Sequence, residues 1–96
     1  MIGSFKNKGT EDIFNGGNSK RARATLPQDL MAIARRKLSQ VQAARTLEDL
    51  RLPGNHLEAL KGDRAGQWSI RINDKYRVCF IPEIAALRDV EIVDYH

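Results

Sequence analysis

The chain has 96 residues, enough for one compact domain spanning residues 1–96 and too few for two. Sixteen lysines and arginines against twelve aspartates and glutamates leave a net charge of +4, and 42% of the residues are hydrophobic. This composition favours a folded domain over a disordered chain. A single cysteine, Cys79, excludes an internal disulfide and a multi-cysteine zinc site, which fits the reducing cytosol.

The positive charge is concentrated in the first half of the chain. Residues 1–46 carry nine basic and three acidic side chains, whereas residues 47–96 carry seven basic and nine acidic. A basic segment favours a polyanionic partner such as RNA, although many basic surfaces are only solvated. No apolar run approaches the roughly 20 residues of a membrane span, and the first residues lack a signal-peptide pattern. We therefore expect a cytoplasmic protein with no membrane partner.

The first half of the chain predicts a short strand and two helices. Residues 2–5 favour a strand, and residues 10–14 favour a weak helix that a glycine pair ends. A stronger helix is predicted to begin at Thr25, because Pro27 falls in its first turn and Gln28 stands at capping-box spacing. Its apolar stripe comprises Leu30, Met31, Ala34, Leu38 and Val41. Arg35, Arg36 and Lys37 are predicted to lie off that stripe.

Between these helices, residues 18–23 predict a polar loop with three basic side chains, Lys20, Arg21 and Arg23. Such a loop is either a docking patch for RNA or a solvated surface.

After a capped turn at residues 46–50, apolar residues recur every 2 residues, as in strands, and no longer every 3.6 residues, as in helices. Four strands are predicted, at residues 57–60, 67–72, 76–81 and 87–93. The predicted fold class is α+β, in the order β-α-α-β-β-β-β, with two N-terminal helices packed on one face of an antiparallel-rich sheet.

The central hairpin can be placed in register from its alternation. A three-residue loop at residues 73–75 gives three apolar pairs on the core face: Ile72–Tyr76, Ile70–Val78 and Trp68–Phe80. The same register places Arg71 opposite Arg77 on the other face of the sheet. Two arginines in that position repel one another unless an anion or a carboxylate lies between them.

The chain ends on a carboxylate, a phenol and an imidazole, Asp94, Tyr95 and His96. With Lys61, Arg71 and Arg77 opposite, these groups would suit acid–base chemistry on a phosphodiester. The alternatives are a frayed tail and, for residues 60–64, an ordinary turn. The sequence has no HExxH spacing, Gly-rich phosphate loop or GxSxG motif, so we expect neither a metal nor a cofactor.

Four segments resemble the HigB toxins, which are RelE-superfamily toxins of type II toxin–antitoxin systems. They are IGSFKNKG at residues 2–9, LKGDRAGQWSI at 60–70, YRVCF at 76–80 and VEIVDYH at 90–96. The resemblance implies a RelE-like fold and a ribosome-dependent endoribonuclease that cuts mRNA in the decoding site. It further implies a metal-independent reaction in which the 2′-hydroxyl attacks the adjacent phosphate. The implied partner is a HigA-like antitoxin with a helix-turn-helix fold. The toxin would contact operator DNA only through that antitoxin.

The resemblance also implies roles for particular residues. Lys61 and Arg77 would stabilise phosphate charge, while Asp94, Tyr95 and His96 would position and exchange protons. Arg71 joins this set through the hairpin register, and Arg64 through its place in the basic block, as RNA-binding residues.

One position departs from the family pattern, because many members have a catalytic histidine where this chain has Glu58. Three consequences stay open: Glu58 acts as a carboxylate base, His56 reaches in from along the strand, or activity is reduced. A non-catalytic module of the same fold, which binds the ribosome or its RNA without cutting, is the competing interpretation.

Overall fold

The computed structural model describes residues 1–95, whose first half is helical. Three α-helices are present, α1 (Lys8–Phe14), α2 (Lys20–Thr25) and α3 (Met31–Ala43). Two 3-10 turns accompany them, at Gln28–Leu30 and Leu47–Leu50. No helix within this part of the chain is long and apolar enough to cross a membrane.

The basic segment at residues 18–23 contains most of a helix, so the prediction of a loop there was wrong. Ser19 caps α2, because its hydroxyl accepts a hydrogen bond from the backbone N–H of Ala22 at 3.1 Å. Ala22 itself is fully buried, which anchors the short helix to the core. The helical layer therefore has three helices instead of the two predicted.

The predicted start of the long helix was also wrong. Thr25 ends α2 and donates its hydroxyl hydrogen to the Arg21 carbonyl, whereas α3 begins only at Met31. Most of the predicted stripe is confirmed, since Met31, Ala34, Leu38 and Val41 are buried and Leu30 packs against the core. Lys37, predicted to lie off the stripe, is buried as well.

The second half forms a four-stranded antiparallel sheet in sequential order. Its strands are β1 (Glu58–Ala59), β2 (Trp68–Arg71), β3 (Tyr76–Pro82) and β4 (Leu87–Asp94). The first of these is much shorter than the predicted strand at residues 57–60.

Residues 2–5 do not form the continuous first strand that the sequence predicts. They lie beside β4 and make two isolated parallel bridges, Ile2 to Leu87 and Phe5 to Val90. Asp89 between these bridges has a left-handed φ of 53°, and its N–H donates to the Ser4 hydroxyl at 2.9 Å. That local turn of the backbone interrupts the ladder.

The predicted register of the central hairpin is confirmed. Ile70 lies opposite Val78, Trp68 opposite Phe80, and Arg71 opposite Arg77. Ile70, Val78 and Phe80 are fully buried against the helices, so the core lies between one sheet face and the helical layer. This arrangement confirms the α+β fold class.

Asn55, in the loop before β1, is a fully buried polar link between the helical layer and the sheet. Its side-chain amide donates to the Leu50 carbonyl at 3.0 Å and to Gln40 at 2.9 Å. Its side-chain oxygen accepts from the Lys37 ammonium at 2.5 Å, and its backbone carbonyl accepts from the Arg71 N–H at 2.6 Å. Asn55 thus satisfies a buried ammonium and ties α3 to the edge of β2.

We expect Asn55→Ala to lower the free energy of unfolding by roughly 2–4 kcal/mol, because it leaves the buried Lys37 ammonium without its acceptor. Urea unfolding measures the change, and Asn15→Ala, at an exposed position, is the control. A loss of less than about 1 kcal/mol would show that water or another group replaces the amide.

Candidate active site on the outer face of the sheet

One face of the sheet packs against the helices, and we call the opposite one the outer face. Strand alternation and the observed pairing bring six side chains onto it: Glu58, Ser69, Arg71, Arg77, Cys79 and Glu91. These side chains come from all four strands, so their grouping on one face depends on the register of the sheet.

Arg77 lies at the centre of the outer face. Its guanidinium donates to the Ser69 hydroxyl at 2.7 Å and to the His56 carbonyl at 3.3 Å. The same nitrogen lies 3.3 Å from a carboxylate oxygen of Glu58, and the guanidinium carbon lies 5.9 Å from the centre of the Tyr95 ring. The side chain is only 17% exposed, so these contacts hold it in one direction.

His56 contributes its backbone to this arrangement. Its φ of 47° is left-handed, an uncommon conformation for a residue with a side chain. The carbonyl, not the imidazole, contacts Arg77, and the residue itself is exposed. The sequence predicted a role for the His56 imidazole, and nothing in the sequence indicated a role for its carbonyl.

Glu58, at the position of the family histidine, places a negative charge directly on Arg77. Its side chain is half exposed, and it faces Ser69 across the β1–β2 pair. A carboxylate in this position lowers the positive potential that a phosphate would meet. It is therefore a candidate base and a candidate competitor of any anion that binds Arg77.

The chain end is held against the hairpin. The N–H of Tyr95 donates to the Lys75 carbonyl at 2.8 Å, and the Lys75 ammonium lies 3.6 Å from the Asp94 carboxylate. The structure thus places Tyr95 beside Arg77, whereas Asp94 pairs across from Tyr76 near the turn. His96 lies outside the described residues.

Lys61 and Arg64 flank the turn between β1 and β2. Lys61 is exposed, and its ammonium makes no hydrogen bond or ion pair with residues 1–95. Arg64 donates to Glu91 at 3.0 Å and to Gln67 at 2.9 Å. The hydrogen bond with Glu91 raises the pKa of Arg64, so this arginine is part of an internal ion pair rather than a free cation.

Cys79 is fully buried beneath the outer face, next to Ser69 and Glu91 in the sheet register. Burial raises the pKa of its thiol to about 11. A thiol in this state is a poor nucleophile at neutral pH, and Cys79 is a packing residue of the sheet.

The three basic residues of the segment 18–23 do not reach this site. Lys20, Arg21 and Arg23 belong to α2, which packs on α1 in the helical layer on the other side of the sheet. Arg21 pairs with Asp12 at 3.0 Å, and Arg23 donates to the Asn18 carbonyl. The outer face and these cations are therefore separate surfaces.

Ser69 is the residue of the candidate site that sequence reasoning missed, since its hydroxyl accepts a hydrogen bond from Arg77. Its signal was present, because it alternates with the core residues Trp68 and Ile70 and so shares a face with Arg77. In residues 1–95, no group of three His, Cys, Asp or Glu side chains is placed to hold a metal ion.

Residues 3–96 match the family model described as the RelE-like toxin of type II toxin–antitoxin system HigB. The chain belongs to this HigB-like toxin family. The predicted family is thereby confirmed.

Two relatives support this assignment, and one solved structure contains a similar fold. The chain is 39% identical to "Toxin HigB-1" of Vibrio cholerae over 81 residues, which cover 83% of this chain and 82% of that protein. It is 36% identical to "Endoribonuclease HigB" of Proteus vulgaris over 80 residues, 83% of each chain. The YoeB–YefM complex from Staphylococcus aureus contains a chain of similar fold, with a TM-score of 0.58 at 15% identity, covering 100% of this chain and 98% of that one.

As a member of a type II toxin–antitoxin family, this HigB-like chain has an antitoxin as its partner. The prediction of an endoribonuclease agrees with the name of the Proteus vulgaris relative, and the prediction of a RelE-like fold agrees with the YoeB-containing structure.

Proposed function

We propose that this HigB-like toxin is an mRNA endoribonuclease that cuts in the decoding site of the translating ribosome and so inhibits translation. Family membership and the named activity of the Proteus vulgaris relative support the reaction class. The observation that carries the proposal is the Arg77 guanidinium, held at the centre of the outer face by Ser69 and the His56 carbonyl beside Tyr95.

The proposed chemistry is a transesterification within the RNA. The 2′-oxygen forms a bond to the adjacent phosphorus while the bond from phosphorus to the 5′-oxygen breaks, leaving a 2′,3′-cyclic phosphate. A base takes the proton of the 2′-hydroxyl, and an acid gives a proton to the departing 5′-oxygen. Only RNA carries the attacking hydroxyl, and the step needs no metal or cofactor.

Arg77 and Lys61 are assigned to the charge of the phosphate as it becomes five-coordinate. Arg77 is oriented in advance, which supports a role in the transition state, and Lys61 is exposed and able to reach a bound strand. Tyr95, Asp94 and His96 are assigned to positioning and proton transfer, and the Tyr95 ring centre lies 5.9 Å from the guanidinium carbon of Arg77.

Glu58 has two roles open to it in this proposal. As a base it would take the 2′-proton directly, although a carboxylate is a weaker base than an imidazole. As a competitor it would occupy Arg77 until the phosphate displaces it, and their separation of 3.3 Å supports this second role. In the remaining alternative, the His56 imidazole reaches into the site and acts as the base in place of Glu58.

One observation favours a second candidate function, a RelE-fold module that binds the ribosome and blocks translation without cutting. The Glu58–Arg77 ion pair reduces the positive charge available to a phosphate at the centre of the outer face. Mapping of mRNA ends distinguishes the two functions, since both would inhibit growth.

The partners in this proposal are the ribosome with its mRNA and a HigA-like helix-turn-helix antitoxin. The toxin acts in the cytoplasm and meets operator DNA only through that antitoxin. Support comes from the toxin–antitoxin family and from the resemblance to HigB proteins.

Arg77→Ala is expected to lower the rate of mRNA cleavage by roughly 10²-fold or more, because it removes one charge-assisted contact to the transition state. The measurement is the mapping of mRNA 5′ ends after expression without antitoxin. Folding should survive, since Val78 and Phe80 carry the core face of the strand. The matched control is Arg88→Ala, another strand arginine paired with carboxylates, at Glu83 and Asp89.

The same assay with purified components tests the whole proposal. Wild-type protein should cut translated mRNA and leave the same naked RNA almost untouched, and EDTA should have no direct effect on the chemical step. Cutting by a folded Arg77→Ala protein at the wild-type rate would remove Arg77 from the mechanism. Growth inhibition without new mRNA ends would favour the non-catalytic module.

Glu58→His is expected to increase cleavage, because it removes the carboxylate from Arg77 and introduces an imidazole that titrates near neutral pH. Glu58→Gln separates the two effects on the same end-mapping assay. A faster Glu58→Gln protein identifies Glu58 as a competitor, whereas an inactive one identifies it as the base. Equal or lower activity in a well-folded Glu58→His protein would contradict the prediction.

A stop codon after Asp94 should give a folded, ribosome-binding protein that no longer cuts. The truncation removes the Tyr95 ring beside Arg77 together with His96, while the loss of a single ladder hydrogen bond to Lys75 costs little stability. Melting, ribosome binding and end mapping are measured, and Tyr95→Phe is the control that keeps the ring. Retained cutting would place catalysis elsewhere, and a loss of folding would make the tail structural.

A further inference from the structure

The contacts that orient Arg77 differ in how firmly their own partners are anchored. One terminal nitrogen of the guanidinium contacts the Ser69 hydroxyl, the His56 carbonyl and the Glu58 carboxylate. Ser69 is fully buried, whereas Glu58 is half exposed and is easily exchanged for another anion, because holding it gains little in water. When an anion replaces Glu58, the contacts to Ser69 and to the His56 carbonyl are the two of these three that remain.

The direction of the His56 carbonyl depends on an unfavourable backbone conformation. His56 has a left-handed φ of 47°, which costs energy in a residue that carries a Cβ atom. Residues stay in such conformations where the surrounding structure fixes them, and they cluster at functional sites. The structure that fixes His56 lies at its neighbour in the chain, Asn55.

Every polar atom of Asn55 is hydrogen-bonded within the protein, and the residue is fully buried. Its five partners lie in α3, in the 3-10 turn and loop that follow, and in β2: Lys37, Gln40, Leu50, Leu52 and Arg71. The Asn55 carbonyl, which accepts from the Arg71 N–H at 2.6 Å, belongs to the peptide group that leads into His56. That peptide group is therefore fixed in direction just before the left-handed residue.

Lys37 is an unusual partner for Asn55, because the other buried side chains of α3 are apolar. Its side chain is only 9% exposed, and its ammonium donates to the Asn55 side-chain oxygen at 2.5 Å. Removing an ammonium from water destabilises the folded state, so an apolar residue would suit this position better for stability alone. The buried contact is better explained by the conformation that it fixes.

We infer that Asn55, held by Lys37, is a positioning residue for Arg77: it fixes the left-handed backbone at His56, whose carbonyl keeps the guanidinium directed at the scissile phosphate. The inference rests on the proposed function for the role of Arg77 in cleavage. Asn55 and Lys37 are buried and act without contacting the RNA. The helical layer thus acts on the outer face through the loop before β1.

The first measurement is the single-turnover rate of mRNA cleavage on ribosomes, with the toxin in excess. Asn55→Ala and Lys37→Met should each lower the rate constant at saturation roughly 10-fold, because a misdirected guanidinium stabilises the transition state less well. The toxin concentration that gives half the maximal rate should stay close to the wild-type value. Partial unfolding alone would reduce the amount of competent toxin and leave the saturating rate constant unchanged.

A double-mutant cycle separates positioning from a general loss of structure. In an Arg77→Ala background, Asn55→Ala should lower the rate no further, because the guanidinium through which Asn55 acts is absent. The control is Ile13→Ala, since Ile13 is fully buried but lies in α1, a different helix from Lys37. It should destabilise the fold and leave the saturating rate constant unchanged.

The NMR signals of the Arg77 guanidinium in the free protein give a measurement that does not depend on cleavage. Contacts that restrict rotation of the guanidinium separate the signals of its terminal N–H groups, and the loss of these signals in Arg77→Ala identifies them. In Asn55→Ala and Lys37→Met they should broaden or merge, whereas Ile13→Ala should keep them separate. If melting curves show that neither variant folds, the milder Gln40→Ala, which removes one contact of Asn55, replaces both.

Two outcomes would overturn the inference. One is a wild-type rate with unchanged Arg77 signals in folded Asn55→Ala and Lys37→Met. The other is an equal loss of rate with and without Arg77, which would give Asn55 a general structural role. Failure of the proposed function looks different: a wild type that does not cut, with Arg77 signals that still merge in Asn55→Ala, defeats catalysis and supports the positioning of Arg77.

Discussion

The pairing of Ile70 with Val78 determines what each face of the sheet can do. Because side chains alternate along a strand, a slip of one residue would turn the apolar side chains outward and bury the arginines. The burial of Ile70, Val78 and Phe80 against the helices makes that slip very costly. Arg77 and Arg71 are therefore held on the outer face by hydrophobic burial on the opposite one.

The outer face resolves the repulsion between its arginines with carboxylates that solvent can reach. Glu58 and Asp74 each neutralise one arginine in the free protein, and both are at least half exposed. Arg64 differs, because its partner Glu91 is largely buried and the ion pair is structural. In the proposed function, a phosphate therefore meets carboxylates that solvent already reaches, and the buried Arg64–Glu91 pair stays in place.

Sequence periodicity predicted the sheet better than the helices, for physical reasons. The β2–β3 register follows from alternation, which a buried core enforces, and the position of Arg77 follows from it. The α2 helix was missed because its basic composition resembles a loop, while a Ser19 cap and one buried alanine stabilise it. Lys37 was missed because its burial depends on Asn55, a tertiary contact with no local signal.

Family likeness and activity depend on different parts of this molecule. The fold tolerates Glu58 well, since β1 needs only two residues in the ladder and the side chain points to the outer face. The chemistry is far more sensitive, because the substituted carboxylate lies 3.3 Å from Arg77. In the proposed function, a phosphate must outcompete that carboxylate before the transition state is reached, which adds an energetic cost that a histidine there would not impose. Under the proposed function, the potency of this toxin is set by local competition for the Arg77 guanidinium, on a scaffold that Glu58 leaves intact.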